Sequence, residues 1–382
     1  MRPRRQAFGY DVEYSLDSMG FLGQMIDILE DPGWNLHDVV AEGAYSQFEL
    51  DFHYTDVLAM ADRLVFLRVM LREIAKQHGM FVTFMPKPTT GDWRSGAHMN
   101  TSVRKTFTPD ANLFENDGKW SDEVLHAVGG LLRHGGALTA VACSTVNSYN
   151  GLVPQVGGFE GGTVTWAPTH MTYVHNNRSA MLRLPQSRFC IENRAADMCM
   201  NPYLGLGISA AAMAEGIVNS YDPGKPLNQD LYSMTSEEIA RSGAQRLPRN
   251  LLEAIEILRD DGLAKNVIGR DDAELLSAVQ NRRVGALSSE RHRLGSSGVP
   301  APLLNRSPGD TRDAQRGEPE ALGEVQQSRG QSRILARRAP RRGKPQVQRC
   351  AHVSLSERLS HSEYSRSPAF GKYSTKHAMR MG

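Results

Sequence analysis

The sequence is poor in cysteine and contains no long apolar run. Its four cysteines are scattered over 382 residues and form no C-x-x-C pair, which argues against a disulfide scaffold or a zinc ribbon and favours a reducing compartment. Because no run of about 18 apolar residues occurs, no transmembrane helix is expected. The basic residues at the start are not followed by an apolar stretch, so they do not resemble a signal peptide. We therefore expect a cytoplasmic protein without a membrane partner.

Common nucleotide-binding and zinc-binding signatures are also missing. The sequence contains no Walker-type G-x-x-x-x-G-K-S/T motif, and no G-x-G-x-x-G motif follows a predicted strand. These absences argue against the P-loop and Rossmann classes. A zinc-dependent hydrolase that uses His98 with the glutamates is a remote alternative, and the lack of an H-E-x-x-H motif argues against it.

Charge is distributed unevenly along the chain, although the net charge is only +2. Residues 1–282 contain 25 Lys and Arg against 34 Asp and Glu, a balance of −9, whereas residues 283–382 contain 19 against 8, a balance of +11. Such a split is typical of two physically different regions. We predict a folded domain over residues 1–282 and a basic tail, rich in serine and arginine, over residues 283–382.

The predicted tail has only three aromatic residues, and its arginines occur in clusters such as Arg337 and Arg338. A segment of this composition cannot bury enough apolar surface to offset the entropy of ordering, so we predict that it is disordered. A basic arm that binds nucleic acid or an acidic membrane is the functional alternative. Because no aromatic side chains alternate with the arginines for base stacking, nucleic-acid binding is not favoured.

The first region mixes helical and strand-like patterns. Apolar residues recur at helical spacing in residues 15–30, 55–78, 122–142, 201–219 and 249–260. Residues 80–86, and several short segments between residues 162 and 194, carry β-type patterns bounded by proline, asparagine or glycine. The order of these segments predicts a fold that combines helices and strands.

A pair of glutamates is the first candidate for chemistry. Glu42 and Glu49 lie on either side of a glycine and a serine within residues 37–50, at what are predicted to be adjacent strand positions. Two carboxylates brought together by a hairpin can bind a hard cation such as Mg²⁺ or Mn²⁺. The alternative is a pair of solvated loop residues.

A second candidate segment is M-P-K-P-T-T-G-D-W-R-S-G-A-H-M-N-T-S, residues 85–102. Gly91 and Gly96 flank a loop that leads into a strand carrying His98, and Ser102 follows. A lone histidine is more often structural than a ligand, but a loop that enters a strand is a common place for catalytic groups.

A third candidate is N-S-Y-N-G-L-V-P, residues 147–154, followed by a glycine-rich stretch that contains Glu160. Glycine-rich loops can act as lids over a site, and they also occur as ordinary surface loops.

Four arginines around one glutamate form the fourth candidate. Arg178, Arg183, Arg188 and Arg194 surround Glu192 in the sequence. The guanidinium fork donates two hydrogen bonds and suits phosphate and carboxylate groups. A salt-bridge network without a ligand is the equally weighted alternative. Taken together, carboxylates, a histidine, arginines and glycine loops are typical of phosphoryl transfer, in which cations stabilise the spreading negative charge.

Residues 42–282 resemble the catalytic domain of glutamine synthetases, and in particular the glutamate–amine ligases that include γ-glutamylmethylamide synthetase and type III glutamine synthetase. Seven motifs in family order carry the resemblance: E-G-A-Y-S-Q-F-E, F-M-P-K-P, S-G-A-H, N-S-Y, N-N-R-S-A-M-L-R, I-E-N-R and N-P-Y-L. The resemblance implies an α+β fold, with a curved antiparallel sheet that carries the metal ligands and helices packed outside it.

The resemblance also implies roles for individual residues. Glu42 and Glu49 match ligands of a first metal ion, and His98 and Glu192 match ligands of a second. The implied nucleotide- and substrate-binding residues are Gly96, Ser102, Arg178, Arg183 and Arg188. The implied catalytic residues are Arg178, Arg194 and a displaced flap residue, Glu160.

The implied reaction is the activation of glutamate by ATP to γ-glutamyl phosphate, followed by attack of ammonia or an amine. Mg²⁺ or Mn²⁺ would be the cofactor. The implied partners are ATP, glutamate or a related acid, and ammonia or an amine, and members of the family assemble as ring-shaped homo-oligomers.

Three positions depart from the family pattern. Ser46 replaces the glycine of G-Q-x-E, Asn100 replaces the second histidine of H-x-H, and Gly151 stands where N-S-Y-K-R has the arginine that holds the substrate carboxylate. Without that arginine, the carboxylate loses a charge-assisted hydrogen bond worth about 1.5–3 kcal/mol. A different acid, or a different binding mode for glutamate, is therefore an alternative.

The two ends of the sequence depart further. Nothing before residue 37 matches the family's N-terminal β-grasp domain or its E-x-E strand, which completes both metal sites, and the basic tail replaces the C-terminal helices. We hypothesise a gene model that is truncated at its start and frameshifted near residues 280–285, with impaired assembly. The alternative function is then a catalytically inactive remnant that retains at most nucleotide or metal binding.

Overall fold

The computed structural model describes residues 20–34, 36–44, 46–89, 92–105, 108–152, 166–296 and 350–355. Residues 1–285 together with 348–382 form one compact unit, and residues 286–347 form a second. All elements described below belong to the first unit, except for the last part of the final helix.

One sheet contains the predicted hairpin. Its four strands are β1 (Leu36–Ala41), β2 (Gln47–Phe52), β3 (Phe81–Thr83) and β13 (Cys350–Leu355), in the order β1-β2-β13-β3. Strands β1 and β2 are antiparallel, whereas β13 runs parallel to both β2 and β3. Side chains alternate along β2, so Phe48, Leu50 and Phe52 share one face. Leu50 and Phe52 are buried there and Phe48 packs against the same apolar cluster.

The second sheet has five strands in the order β12-β9-β10-β11-β4. Its strands are β4 (Met99–Thr101), β9 (His170–His175), β10 (Ala180–Leu184), β11 (Ile191–Asn193) and β12 (Gln245–Arg246). All neighbouring pairs are antiparallel except β9 and β10, which run parallel. Two small ribbons pair β5 (Arg104–Lys105) with β6 (Thr108–Asn112) and β7 (Glu115–Asn116) with β8 (Lys119–Trp120).

Helices surround these sheets. The described part contains α1 (Phe21–Glu30), α2 (Val57–Gln77), α3 (Asp122–Arg133), α4 (Gly135–Ala142), α5 (Val146–Asn150), α6 (Pro202–Val218), α7 (Ser236–Ser242), α8 (Leu251–Asp260), α9 (Gly262–Ile268) and α10 (Arg270–Ser296). None of the described helices is both long and apolar enough to span a membrane. The α+β architecture predicted from the sequence is confirmed, and its sheets are open.

Two apolar cores hold these elements together. The first contains Val128, Leu138, Leu182 and Ile255, which join α3, α4, α8 and the second sheet. The second contains Met25, Leu67 and Leu71 of α1 and α2, with side chains from β2. Each strand of the site therefore has a packed core behind it, which fixes the position of its polar face.

Helices α3 and α6 pack at very short range. A Cβ atom at Gly130 would lie 1.9 Å from the carbonyl oxygen of Ala212, and one at Gly216 would lie 2.2 Å from that of His126. Only glycine fits at both positions, because a real Cβ never approaches a backbone oxygen so closely. The small-residue pattern of α6 is explained by this contact.

The observed elements differ from the predicted ones in three places. The helix predicted over 122–142 is two helices that meet at His134. The predicted boundary at residue 282 lies inside α10, which continues to Ser296. Residues 350–355 form β13 inside the segment predicted to be a disordered tail, because Ala351, Val353 and Leu355 give a short alternating pattern that the surrounding composition hides. The division at residue 282 itself stays a prediction.

Candidate active site

The β1–β2 hairpin brings the two predicted glutamates together. Val40 of β1 lies opposite Glu49 of β2, and the backbone N–H of Glu42 donates to the carbonyl of Gln47 across the turn (2.9 Å). Only 9% of Glu42 and 2% of Glu49 are exposed. Because side chains alternate along β2, Gln47, Glu49 and Asp51 lie on the face opposite the apolar one. The alternative of two solvated loop residues is therefore wrong for this pair.

Burial and like charge dominate the electrostatics of this pair. Burial raises the pKa of Glu49 well above its usual value, and a hydrogen bond with Glu42 and the charges of Glu42 and Asp51 raise it further. The positive charge of Arg178 opposes this rise in the pKa. A buried carboxylate whose ionised form is disfavoured in this way is suited to exchange its proton for a cation.

The turn between the two strands is shaped by Ser46 and Gly43. Ser46, which stands where the family pattern has glycine, has a φ of 58°, a conformation that glycine adopts without strain. The ring of Trp93 packs so closely on Gly43 that a Cβ there would lie 2.4 Å from the ring. Gln47 then anchors the next loop by donating to the carbonyl of Arg94 (3.0 Å).

Glu192 is the centre of a second buried cluster on the five-stranded sheet. In the register it lies opposite Arg183 of β10 on one side and Asn100 of β4 on the other. Arg183 Nη1 is 2.7 Å from Glu192 Oε2, and Arg194 Nη1 pairs with Glu192 Oε1. His98 Nδ1 lies 3.6 Å from the same Oε1 atom.

The charges in this cluster set the protonation states of Glu192 and His98. Burial opposes ionisation of Glu192, but Arg194, His98 and Arg183 together lower its pKa below the usual value. Burial lowers the pKa of His98 well below its usual value, with a further contribution from the charge of Arg194 that outweighs the attraction of Glu192. At neutral pH Glu192 is therefore ionised and His98 is neutral, which is the form of histidine that binds metal ions.

Gly96 and Arg178 connect the two clusters to their surroundings. A Cβ at Gly96 would lie 2.9 Å from His98 Nε2, so this glycine makes room for the imidazole. The guanidinium of Arg178 lies over the ring of Trp166, 4.4 Å from its centroid. Arg194 donates to the carbonyls of Arg178 and Trp166 (3.3 and 3.1 Å). Because Arg178 also acts on Glu49, the arginine cluster and the glutamate pair form one charged region.

The remaining predicted residues lie at the edge of this charged region or outside the residues that the structure describes. Arg188 Nη2 donates to Asn100 Oδ1 (2.8 Å), and Asn100 lies opposite Glu192 in the sheet. Ser102 directly follows β4 and is half-buried. Glu160 lies outside the described residues.

Two basic side chains of the same region were not singled out from the sequence. Burial lowers the pKa of Lys87 to about 8, against the attraction of Asp92, and Lys87 Nζ donates to the carbonyl of Asp92. The guanidinium of Arg94 donates to the carbonyls of Ala195 and Ala196 (3.1 and 3.2 Å), directly after Arg194. Both residues lie in motifs visible in the sequence, F-M-P-K-P and D-W-R-S-G. A single basic residue, however, does not indicate which groups it contacts in the folded protein.

The two predicted metal sites differ in how well the residues suit a cation. The Glu42–Glu49 pair fits a hard cation, because both carboxylates are buried and lie beside each other. Both oxygens of Glu192 contact arginines, so a cation at His98 and Glu192 would have to share that carboxylate. Among the described residues, no group of three or more His, Cys, Asp or Glu side chains is arranged to bind a metal ion.

The fold and the site thus define an α+β protein with a buried site in which carboxylates and arginines meet. The family model described as "Glutamine synthetase, catalytic domain" matches residues 1–295. The chain therefore belongs to the glutamine synthetase catalytic-domain family, as the motifs predicted.

Curated relatives agree with this assignment. A glutamate–methylamine ligase from Methyloversatilis universalis is 35% identical over 265 residues, which cover 68% of this chain and 58% of the relative. A glutamine synthetase from Methanosarcina mazei is 35% identical over 272 residues, covering 70% and 55%. The chain spans little more than half the length of these relatives.

Solved structures show the same similarity. The ADP complex of GmaS, a glutamate–methylamine ligase, aligns with a TM-score of 0.66 and 29% identity, covering 76% of this chain and 66% of that structure. GmaS without ligand aligns with a TM-score of 0.64 and 30% identity, covering 74% and 62%. The α+β fold inferred from the sequence is therefore that of a known ligase.

Proposed function

We propose that this chain carries the catalytic site of an ATP-dependent carboxylate–amine ligase. The proposed acid is glutamate, the amine is ammonia or an alkylamine, and the product is a γ-glutamyl amide formed through γ-glutamyl phosphate. The observation that carries the proposal is the interaction of two buried clusters, Glu42 with Glu49 on the β1–β2 hairpin and Arg178, Glu192 and Arg194 at the second sheet. Membership of the family and similarity to a glutamate–methylamine ligase support the same reaction.

The charge balance of the cluster suits a phosphorylated intermediate. The guanidinium groups of Arg183 and Arg194 contact the single carboxylate of Glu192, and His98 is neutral, so this second cluster keeps an excess of positive charge. Such an excess stabilises the negative charge that spreads over a phosphoryl group during transfer. The charge of Arg178 acts on Glu49, and Arg178 would contact the phosphates between the two clusters.

The proposed reaction has two steps. An oxygen of the γ-carboxylate attacks the γ-phosphorus of ATP, the bond to the bridging oxygen breaks, and ADP leaves. The amine nitrogen then attacks the acyl carbon, phosphate leaves, and the nitrogen loses one proton. Arg178, Arg183 and Arg194 would hold the phosphoryl oxygens in both steps because their forks donate paired hydrogen bonds.

Glu42 and Glu49 are the proposed ligands of Mg²⁺ or Mn²⁺. When bound, such a cation offsets the charge of the nucleotide phosphates. The glutamates would hold the cation at the edge of the hairpin, where the apolar core behind β2 fixes the strand. His98 is the proposed further ligand beside Glu192.

The test is ADP release that depends on both acid and amine. Purified protein is assayed with ATP, Mg²⁺ or Mn²⁺, glutamate, and either ammonium or methylamine. We expect Glu42→Ala and His98→Ala to abolish the amine-dependent rate. Glu73→Ala, on the exposed side of α2, is the control and should leave the rate unchanged. Full activity in both site variants would contradict the site assignment.

An inactive remnant is the second candidate function. The observations that favour it are Gly151 in place of the family's arginine and the absence of a three-ligand metal group among the described residues. A remnant would bind ATP or Mn²⁺ without turnover under any amine. Metal-dependent turnover by the wild-type chain excludes this candidate.

A further inference from the structure

The side chain of Arg94 lies next to Gly151, the position at which the family pattern has an arginine. A Cβ built on Gly151 would lie 3.1 Å from the Cβ of Arg94 and 3.3 Å from its Cδ and Nε atoms. Such separations are tighter than ordinary van der Waals contact, so a long side chain at residue 151 would compete with Arg94 for the same space. The loss of one arginine and the presence of the other are therefore linked by geometry.

The guanidinium of Arg94 has unused hydrogen-bonding capacity. Its Nη2 atom donates to two backbone carbonyls, those of Ala195 and Ala196. Its Nε and Nη1 atoms are buried and have no hydrogen-bond partner among the described residues. A buried charged donor without a partner is costly, and such groups in native proteins usually serve a ligand or a bound water.

The surroundings of Arg94 place these donors beside the proposed reaction site. Its backbone carbonyl accepts from Gln47, which lies two residues before Glu49. The loop continues through Ser95 and Gly96 to His98, and the charge of Arg94 contributes to the lowered pKa of His98. Arg94 therefore lies between the glutamate hairpin, the His98–Glu192 cluster and helix α5, which ends next to Gly151.

We infer that Arg94 binds the carboxylate of the acid substrate that is not phosphorylated, in place of an arginine at residue 151. This inference rests on the proposed ligase function, because it assigns one contact of that site. A guanidinium is matched to a carboxylate in charge and hydrogen-bond geometry. The same two N–H groups are also able to donate to a nucleotide phosphate, and the experiment separates these two anions.

The first measurement is binding of glutamate and of ATP to folded wild-type and Arg94→Gln protein by titration calorimetry. We expect the dissociation constant for glutamate to rise roughly 10- to 100-fold, as for the loss of a charge-assisted contact, and that for ATP to change less than about 3-fold. Arg68→Gln is the matched control, because Arg68 also donates to two carbonyls after β11, those of Met198 and Met200. This control should leave glutamate binding unchanged.

The second variant exchanges the two positions. Arg94→Gly with Gly151→Arg moves the guanidinium to the family position and should restore glutamate binding to within about 5-fold of wild type. Arg94→Gly alone should remain weak. If Arg94 only stabilised the loop and did not contact the acid, the exchange variant would not restore glutamate binding.

Several results would overturn the inference. These are unchanged glutamate binding in Arg94→Gln, a loss of ATP binding instead, equal losses in Arg94→Gln and Arg68→Gln, or no glutamate binding by wild type. Failure of the ligase proposal has a different signature, because wild-type protein would then bind glutamate through Arg94 but release no ADP with any amine.

Discussion

At the scale of single residues, the most consequential feature is the burial of Glu42 and Glu49 against each other. Two like-charged groups in a buried hairpin raise the free energy of the ionised form, and the pKa of Glu49 rises as a result of its burial and the contact with Glu42. A protein keeps such an arrangement at a cost in stability. The cost is offset when a cation binds and removes the repulsion.

Replacement of Glu49 tests this cost directly. In Glu49→Gln, we expect the metal-free protein to be at least as stable as wild type, because one buried carboxylate is gone. Mn²⁺ at a hundred times its dissociation constant should stabilise wild type by about 2.7 kcal/mol, and the variant should lose most of this effect. Thermal unfolding with and without Mn²⁺ measures both quantities.

The matched control is Glu73→Gln on α2, where the same chemical change affects an exposed side chain. It should leave the Mn²⁺ effect intact. A Mn²⁺ effect of full size in Glu49→Gln would place the cation elsewhere.

At the scale of elements, His134 joins helices that are distant in sequence. It lies between α3 and α4, its Nδ1 is 2.7 Å from Asp261 Oδ2, and its Nε2 is 2.6 Å from Glu215 Oε2 of α6. Burial opposes protonation of the ring, but the hydrogen bonds and charges of Asp261 and Glu215 outweigh it and raise the pKa of His134. The break in the helix predicted over 122–142 therefore coincides with a charged link between elements.

This link makes stability depend on pH. Since the pKa of His134 is higher in the folded state, its contribution is complete below the unfolded value, near about 6.5, and is lost as the pH rises through the folded value. We expect His134→Gln to lower the free energy of unfolding by about 1.5–3 kcal/mol at pH 6 and by less at pH 9. Urea unfolding at the two pH values measures the difference.

His126→Gln is the comparison variant for this experiment. His126 is also on α3, but its ring contacts a backbone carbonyl, that of Tyr221, instead of carboxylates. If the effect of His134→Gln changed between pH 6 and pH 9 no more than that of His126→Gln, the charged link would not contribute.

The crossing of α3 and α6 gives a second prediction for elements. Gly216→Ala would force a Cβ against the carbonyl of His126 and separate the helices, so we expect a loss of about 1–3 kcal/mol. Gly207→Ala on the same helix meets nothing within 4 Å and should stabilise by up to about 1 kcal/mol through helix propensity. Urea unfolding of both variants would contradict this account if their effects were equal.

At the scale of the whole molecule, the predicted division near residue 282 stays a proposal. Residues 286–347 form the second unit, and the basic composition after residue 283 predicts that trypsin cleaves there first. We expect an early fragment that contains residues 1–285. Mass spectrometry of a digestion time course identifies the cut sites, and first cuts within α3 or α6 would contradict the division.

The local elements were largely predictable because their signals are local. Helical spacing in α2 and α8, and the β-type segments that became β9, β10 and β11, depend on residues within one window. The pairing of Glu42 with Glu49 was also predictable, since a hairpin brings neighbouring residues together. Strand β13 was not, because six residues with three small or medium apolar side chains give too weak a signal.

The sequence by itself determined the family, the α+β fold and the identities of the charged residues, because motifs and periodicity are visible in the linear order of residues. Beyond the Glu42–Glu49 hairpin, only the tertiary structure decided which charges meet. Glu192 pairs with two arginines because the sheet register places β10 and β11 side by side, and Arg94 lies against Gly151 although 57 residues separate them. Contacts of this kind depend on packing between distant segments, and no local pattern encodes them.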